Sequence, residues 1–346
     1  MPEPLDLPAA DLPAPDLPAA DLPSTGLSSA GSAVRLSASQ AARLVGNTGP
    51  QPAAAVAPQV VDAAPASTED VEAEESWAEF VHRRVTGDYP VDEFGFDPEL
   101  TDRVLLALVR PLYRSWFRVT VSGLENVPSD TGALIVANHS GVIALDAVMT
   151  QVALRDEHPA HRHLRMLGAN LVFQTPFLGE LARKAGHTLA CHPDAERLLN
   201  EGELVGVWPE GFKGIGKPFS QRYKLQRFGR GGFVTAALHT GAPIIPTAII
   251  GAEETYPMVA DVRTLARLLG LPYFPVTPTF PWLGPLGLVP LPSKWHIHFG
   301  EPIPTDGYPE GSADDPMVVF NLTDEVREQI QQSIFRLLSE RTSAFG

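Results

Sequence analysis

Three short apolar runs constrain this chain more than any other feature: Ala133-Leu-Ile-Val-Ala137, Glu203-Leu-Val-Gly-Val207 and Ala242-Pro-Ile-Ile-Pro-Thr-Ala-Ile-Ile250. Each has the length and content of a strand buried on both faces. Segments of helical character lie around them. Ala144 to Leu154 and Pro176 to Ala185 read as helices, as does Pro193 to Asn200, with proline in its first turn and a glycine exit at Gly202. Gly232 to His239 is another, ended by Gly241. Strands alternating with helices predict an α/β fold with a mixed, largely parallel sheet flanked by helices. Upstream, Ser76 to Arg84 and Asp97 to Tyr113 read as helices, and Phe117 to Ser122 alternates like a strand before a turn at Gly123. The last helix, Asp324 to Glu340, sets Val326, Ile330, Ile334, Leu337 and Leu338 on one packing face.

The chain divides in composition near residue 75. A Leu-Pro-Ala-Ala-Asp pattern starts at Leu7, Leu12, Leu17 and Leu22, a five-residue period too short and proline-rich to pack. Through Ser76 there are 11 acidic and 2 basic residues, so most of the net charge of −15 lies there. Residues 1–75 are expected to be a disordered acidic tail, and 76–346 one α/β domain large enough for a sizeable core. No basic segment leads into an apolar one at the amino terminus, so no secretory signal is expected. The single Cys191 excludes an intramolecular disulfide framework and fits a reducing compartment. The expected location is cytoplasmic, at the inner face of the cell membrane.

Asn138, His139 and Ser140 follow the first apolar run directly, and Asp146 comes seven residues after the histidine. His139 would then emerge at the carboxyl end of a strand, where open α/β sheets place their ligand crevices. Asp146 would fall in the first turn of the next helix, able to hold one imidazole nitrogen while the other faces substrate. Taken singly, His139 is an ordinary loop histidine and Asp146 an ordinary helix-start acid. A second segment after a strand, Val207-Trp-Pro-Glu-Gly-Phe-Lys213, changes that balance.

Together the two segments resemble the glycerolipid (lysophospholipid) acyltransferases of the 1-acylglycerol-3-phosphate acyltransferase type. That family carries N-H-x-S with a nearby aspartate, then a hydrophobic residue before P-E-G, then an apolar strand with a proline. Asn138-His139-Ser140, Trp208-Pro209-Glu210-Gly211 and Ala242 to Ile250 match in that order, and the resemblance covers roughly residues 110 to 300. Two features depart from it. The family spaces its histidine and aspartate as H-x-x-x-x-D, whereas six residues intervene here, so either the loop bulges by two residues or Asp146 is not the partner. The family's G-x-I-F-I-D-R motif is met only by Gly186-His-Thr-Leu-Ala-Cys-His192, with histidine in place of the phosphate-binding arginine.

The resemblance implies that His139 is the general base and Asp146 its partner. A fatty acyl group would pass from acyl-CoA, a co-substrate with no further cofactor, to a hydroxyl of a lysophosphatidate-like acceptor. A free imidazole, with a pKa of about 6.5, is a neutral base near physiological pH. Asn138, Ser140, Glu210 and Gly211 would bind substrate, Glu210 and Gly211 at the acceptor's polar head.

Lys213, Lys217, Arg222, Lys224, Arg227 and Arg230 occupy a glycine-rich stretch with no acid between Gly211 and Phe233. They form a candidate anion site for the phosphates of acyl-CoA, of the acceptor or of anionic headgroups. A solvated loop is the plain alternative. Gly211-Phe-Lys-Gly-Ile-Gly-Lys217 also fits the first seven positions of a P-loop, but Pro218 stands where Ser or Thr should ligate magnesium, so a nucleotide-binding protein is the weaker alternative. The domain is acidic and shows no nucleic-acid module, so no nucleic-acid partner is expected. His158, His161 and His163, with Arg162 and Arg165 among them, read as a polar loop rather than a metal site. G-x-S-x-G is absent, which argues against a nucleophile-elbow hydrolase.

Residues 268 to 293 carry no charge over 26 positions but include seven prolines, so they cannot form an unbroken spanning helix. Tyr273, Phe274, Phe280 and Trp282 suit either a cover over the core or a loop dipping into a lipid interface. Peripheral membrane contact follows from the second reading. A non-catalytic, membrane-binding relative of the family is the alternative function, marked by the altered spacing and the missing arginine.

Overall fold

The structure is a computed structural model that describes residues 76–229 and 231–345. The predicted disordered tail, residues 1–75, lies outside the described residues, as does Arg230.

The main sheet has seven strands: β1 (Thr120–Ser122), β2 (Ala133–Ala137), β3 (Leu164–Gly168), β4 (Thr188–Leu189), β5 (Leu204–Val207), β6 (Ile244–Ile250) and, last in sequence, β9 (His296–Phe299). A separate antiparallel pair is formed by β7 (Ala260–Asp261) and β8 (Pro275–Val276). The main order is β1-β9-β6-β2-β5-β3-β4. Strands β2 to β6 are mutually parallel, while β9 runs antiparallel to β6 and carries β1 parallel beside it. The predicted class, a mixed and largely parallel sheet flanked by helices, is the observed one.

β2 shows why it is central. All five of its residues are fully buried, as apolar side chains on both pleat faces require. Ala133, Ile135 and Ala137 join Met149, Val152 and Leu154 of the helix Leu145–Glu157 on one face. Leu134 and Val136 join Val326, Ile330 and Ile334 of the helix Pro316–Glu340 on the other. Pairing Leu134–Val136 with both Val205–Val207 and Ile244–Pro246 leaves no edge exposed on β2. Its carboxyl end, like those of β3, β5 and β6, therefore opens on one rim of the sheet, and that rim carries His139.

Three expectations need correction. Phe117 to Ser122 is a strand only from Thr120, because Phe117 N still donates to Leu112 O (2.7 Å) at a helix end and Arg118 turns the chain with φ 47°. Residues around His163 are not simply a polar loop, since Leu164–Gly168 is β3. Arg165 lies inside it with 2% of its side chain exposed, paired with Asp92 (2.5 Å) and Glu203 (3.2 Å) and stacked near Phe94 and Phe96. Burial of a charge is tolerated only with such partners, and their distance in sequence hid the strand. The last helix begins at Pro316, capped by Asp315 accepting from Met317 N (2.8 Å), eight residues before its expected start.

Candidate active site

β2 delivers His139 to the rim, and the residues beside it are locked to the sheet. Asn138 is 1% exposed; its Nδ2 donates to Ile249 O (2.9 Å) and its Oδ1 accepts from Ile249 N (2.7 Å), so its amide continues the ladder between β2 and β6. Both ends of that amide are thus engaged by the backbone of Ile249. Ser140 is also 1% exposed, and its Oγ is sealed without a partner, so both side chains expected to contact substrate are buried in this structure. Their contribution is to fix the backbone on either side of the histidine.

Asp146 meets His139 despite the long spacing. Its Oδ2 accepts from His139 Nδ1 (2.8 Å) and from Ser140 N (2.9 Å), while Oδ1 accepts from Ala147 N (2.9 Å). The carboxylate is fully buried, and three donors around it satisfy the charge. The two additional residues are taken up between Gly141 and Ala144. Gly141 adopts φ 80°, Leu145 N turns back to Ile143 O (2.6 Å), and Tyr273 Oη pins the excursion by donating to Val142 O (2.5 Å). Tyr273 comes from the proline-rich uncharged segment, which thus covers the site. Burial pushes its phenol well above the ordinary range, so it stays a donor at any working pH.

The ring is left with one free end. With Nδ1 on Asp146, Nε2 makes no hydrogen bond among the described residues and is not among their sealed polar atoms. The side chain is 12% exposed, with Trp208 beside it at 6.0 Å between ring centroids. A base oriented on one nitrogen and open on the other is what proton abstraction from a bound hydroxyl requires.

The second motif supports the first from below. Glu210 Oε1 accepts from His139 N (2.8 Å) and Oε2 from Gln226 N (2.6 Å), with none of its side chain exposed. Burial raises its pKa, opposed chiefly by the charge of Lys217. Glu210, expected at the acceptor's polar head, thus braces the histidine's backbone here, with both its oxygens occupied away from solvent. Gly211 takes φ 53° and ψ −143°, a conformation open to glycine, and turns the chain into the short helix Phe212–Ile215.

Gly214 then packs under the histidine: a Cβ there would stand 2.7 Å from His139 O and 2.9 Å from His139 Cβ. Gly214→Ala is expected to cost about 1–3 kcal/mol of stability and to lower turnover about tenfold or more by displacing the base. Thermal unfolding and initial rates on one preparation check both, and wild-type values for the two would refute the packing argument.

The predicted basic cluster separates into two sets. Lys217 is buried and ion-paired with Glu253 (2.7 Å), with Glu210 at 3.8 Å, so it reaches no ligand and cannot serve as a P-loop lysine. Lys213, Arg222, Lys224 and Arg227 are exposed and form no ion pair among the described residues, which leaves four solvent-facing cations on the segment after the Pro209-Glu210-Gly211 motif. The histidine in the arginine's position, His192, begins the helix His192–Asn200 and rests against Gly232. Sequence reasoning missed Tyr273, Trp208 and Lys217 in their observed roles. The motif Trp208-Pro-Glu-Gly held one signal, an aromatic residue next to the strand end, but nothing local marks Tyr273.

An acyltransferase family model matches residues 118–250. An uncharacterized protein of Mycobacterium bovis is 62% identical over 268 residues, 78% of this chain and 75% of its own length. The 1-acyl-sn-glycerol-3-phosphate acyltransferase of Bacillus subtilis is 28% identical over 145 residues, 39% of this chain and 64% of that protein. The crystal structure of the 1-acyl-sn-glycerophosphate acyltransferase of Thermotoga maritima superposes with a TM-score of 0.47 and 19% identity, covering 77% of this chain and 90% of that one. With the Asn138-His139-Ser140 and Pro209-Glu210-Gly211 motifs meeting at one rim of the sheet, and the family model spanning both, the chain belongs to the acyltransferase family.

Proposed function

We propose that the protein transfers a fatty acyl group from acyl-CoA to a hydroxyl of a lysophosphatidate-like glycerolipid. The single observation that carries the proposal is the His139–Asp146 pair at 2.8 Å with Nε2 left free. Nε2 removes the hydroxyl proton as the acceptor oxygen attacks the thioester carbonyl, and Asp146 stabilises the imidazolium that forms. Collapse of the tetrahedral intermediate breaks the carbon–sulfur bond, and the imidazolium returns its proton to the departing thiolate, giving free CoA and an ester. No covalent enzyme intermediate is needed. Lys213, Arg222, Lys224 and Arg227 supply charge for phosphates of donor or acceptor. The non-catalytic alternative is marked by the altered spacing and the missing arginine; the 2.8 Å contact between Asp146 and His139 supports the catalytic reading on the first of these, while His192 still stands in the arginine's position.

Access to an acyl chain is consistent with a peripheral position on a lipid surface. Among the described residues no helix is long and apolar enough to cross a membrane. Large exposed apolar side chains do follow the carboxyl ends of the parallel strands: Ile143 after β2, Phe177 (92% exposed) after β3, Phe212 after β5, and Leu268 and Trp282 (74% exposed) after β6. Exposed apolar side chains of this size favour lipid contact. The double variant Phe177→Ser, Trp282→Ser is expected to lose sedimentation with anionic phospholipid vesicles while keeping its melting temperature; unchanged sedimentation would remove the lipid-contact reading. The activity itself is tested by incubating the purified protein with labelled acyl-CoA and a lysolipid mixture. A labelled diacyl product with release of free thiol is expected, and acyl-CoA left intact with every lysolipid would overturn the assignment.

A further inference from the structure

Behind the loop that carries His139, three charged side chains are buried together. Glu210, Lys217 and Glu253 expose 0%, 3% and 5% of their side chains, and Lys217 Nζ stands between the acids at 3.8 Å and 2.7 Å. The acids hold backbone as well as charge. Glu210 accepts from His139 N and Gln226 N, Glu253 Oε1 accepts from Tyr223 N (3.0 Å), and Lys217 Nζ donates to Lys224 O (3.4 Å). Gln331 adds Nε2 to Tyr223 O (2.8 Å) and Oε1 from Leu225 N (2.9 Å). Residues 223–226 are thus a strap fastened at every position, by the buried Glu210, Lys217 and Glu253 and the half-buried Gln331. Tyr223 sits at φ 64°, a strained value for a non-glycine residue that persists only when its surroundings over-determine it.

A carboxylate enclosed this way takes up a proton unless a cation accompanies it. Once protonated, Glu210 would present an O–H donor to one of the two amide N–H groups it now accepts, and either His139 or Gln226 would lose its partner. We propose that Lys217 is a positioning residue for His139: its ammonium keeps Glu210 a two-acceptor carboxylate, and so holds the base and the 223–226 strap in one arrangement. The kinetic part of this inference rests on the acyl-transfer reading; the structural part does not.

The charged surroundings agree. Burial raises Glu210, and Lys217 is the largest opposing influence, with His139 facing it from the loop. Glu253 is pushed up to about 7 by burial, lowered by Lys217 and raised again by Glu210. Beyond it, Tyr223 Oη donates to Glu254, and Arg341 Nη1 reaches both Tyr223 Oη (3.0 Å) and Glu254 Oε1 (3.0 Å), closing the network against the end of the last helix. Lys217 is thus the chief influence that keeps the Glu210 carboxyl from being pushed further up by its burial.

The test is Lys217→Met beside Lys217→Arg. In Lys217→Met the acid limb of kcat against pH is expected to move up by about one unit or more, with kcat at neutral pH about tenfold to a hundredfold lower and KM for acyl-CoA within about twofold, since no substrate contact is lost. Lys217→Arg should restore the limb at least in part. Independently of activity, the backbone amide resonances of His139 and Gln226 should shift in Lys217→Met and titrate together. A folded Lys217→Met protein with wild-type amide shifts and a wild-type acid limb would overturn the proposal. If Lys217→Met does not fold, the Lys217→Met, Glu253→Gln protein, with one buried acid instead of two, carries the same amide expectation. A wild-type protein that consumes no acyl-CoA defeats the activity reading while the amide experiment still decides the role of Lys217.

Discussion

Replacing His139 with alanine is expected to lower kcat about a hundredfold to ten-thousandfold and to leave the melting temperature near that of the wild type. Both halves follow from how the ring is held. Nε2 has no partner among the described residues, so deleting the ring removes the proton acceptor. The fold keeps its anchor, because the backbone N of His139 still donates to Glu210 and Asn138 still bridges to Ile249. Asp146 also keeps two of its three donors, Ser140 N and Ala147 N. Rates with the lysolipid mixture and a thermal scan of the same preparation measure both; undiminished turnover in the purified variant would refute His139 as the base.

The second large effect is expected from Asp146→Asn, a change of almost no volume. Oδ2 accepts from two N–H groups and Oδ1 from a third, so every direction around this buried group is a donor. An amide can offer an oxygen on one side only. Whichever way it turns, its NH2 faces an N–H, or it drives the imidazole to the tautomer with Nε2 protonated and unable to act as base. A loss of about a thousandfold in kcat is expected, together with about 1–3 kcal/mol of stability from the unsatisfied buried donor. KM should change little, because Asp146 is sealed from substrate. Retention of more than half the wild-type turnover would show that the carboxylate neither orients nor stabilises the ring. Comparing the two variants is informative, since His139→Ala loses activity without stability and Asp146→Asn loses both.

The difference between residues that touch substrate and residues that hold the base runs through the whole site. Local sequence selects for both alike. Asn138, Ser140 and Glu210 stand in the motifs and read as substrate ligands, yet each is sealed and bonded to backbone or without a route to solvent. Lys217 reads as one of six cations for an anion and instead belongs to two acids. Glu253 lies 36 positions further along the chain and has no signature of its own beyond a pair of glutamates after β6. The four cations that do reach solvent, Lys213, Arg222, Lys224 and Arg227, differ from Lys217 in exposure, which nothing in the local sequence marks.

What the amino-acid order determined by itself was the frame: apolar runs too short for helices became buried parallel strands, and the residues next after them, His139 and Trp208 to Gly211, came to one rim. That information is local, because strand burial and helix capping depend on neighbours a few positions away. Tertiary structure alone decided the pairing of His139 with Asp146 across two additional residues, the covering of the loop by Tyr273, the placing of Arg165 inside β3, and the withdrawal of Lys217 into a pocket. Each of these is a charge or a polar group whose state depends on partners from 7 to 131 residues away in the chain, and the cost of burying it is met only once those partners arrive in space.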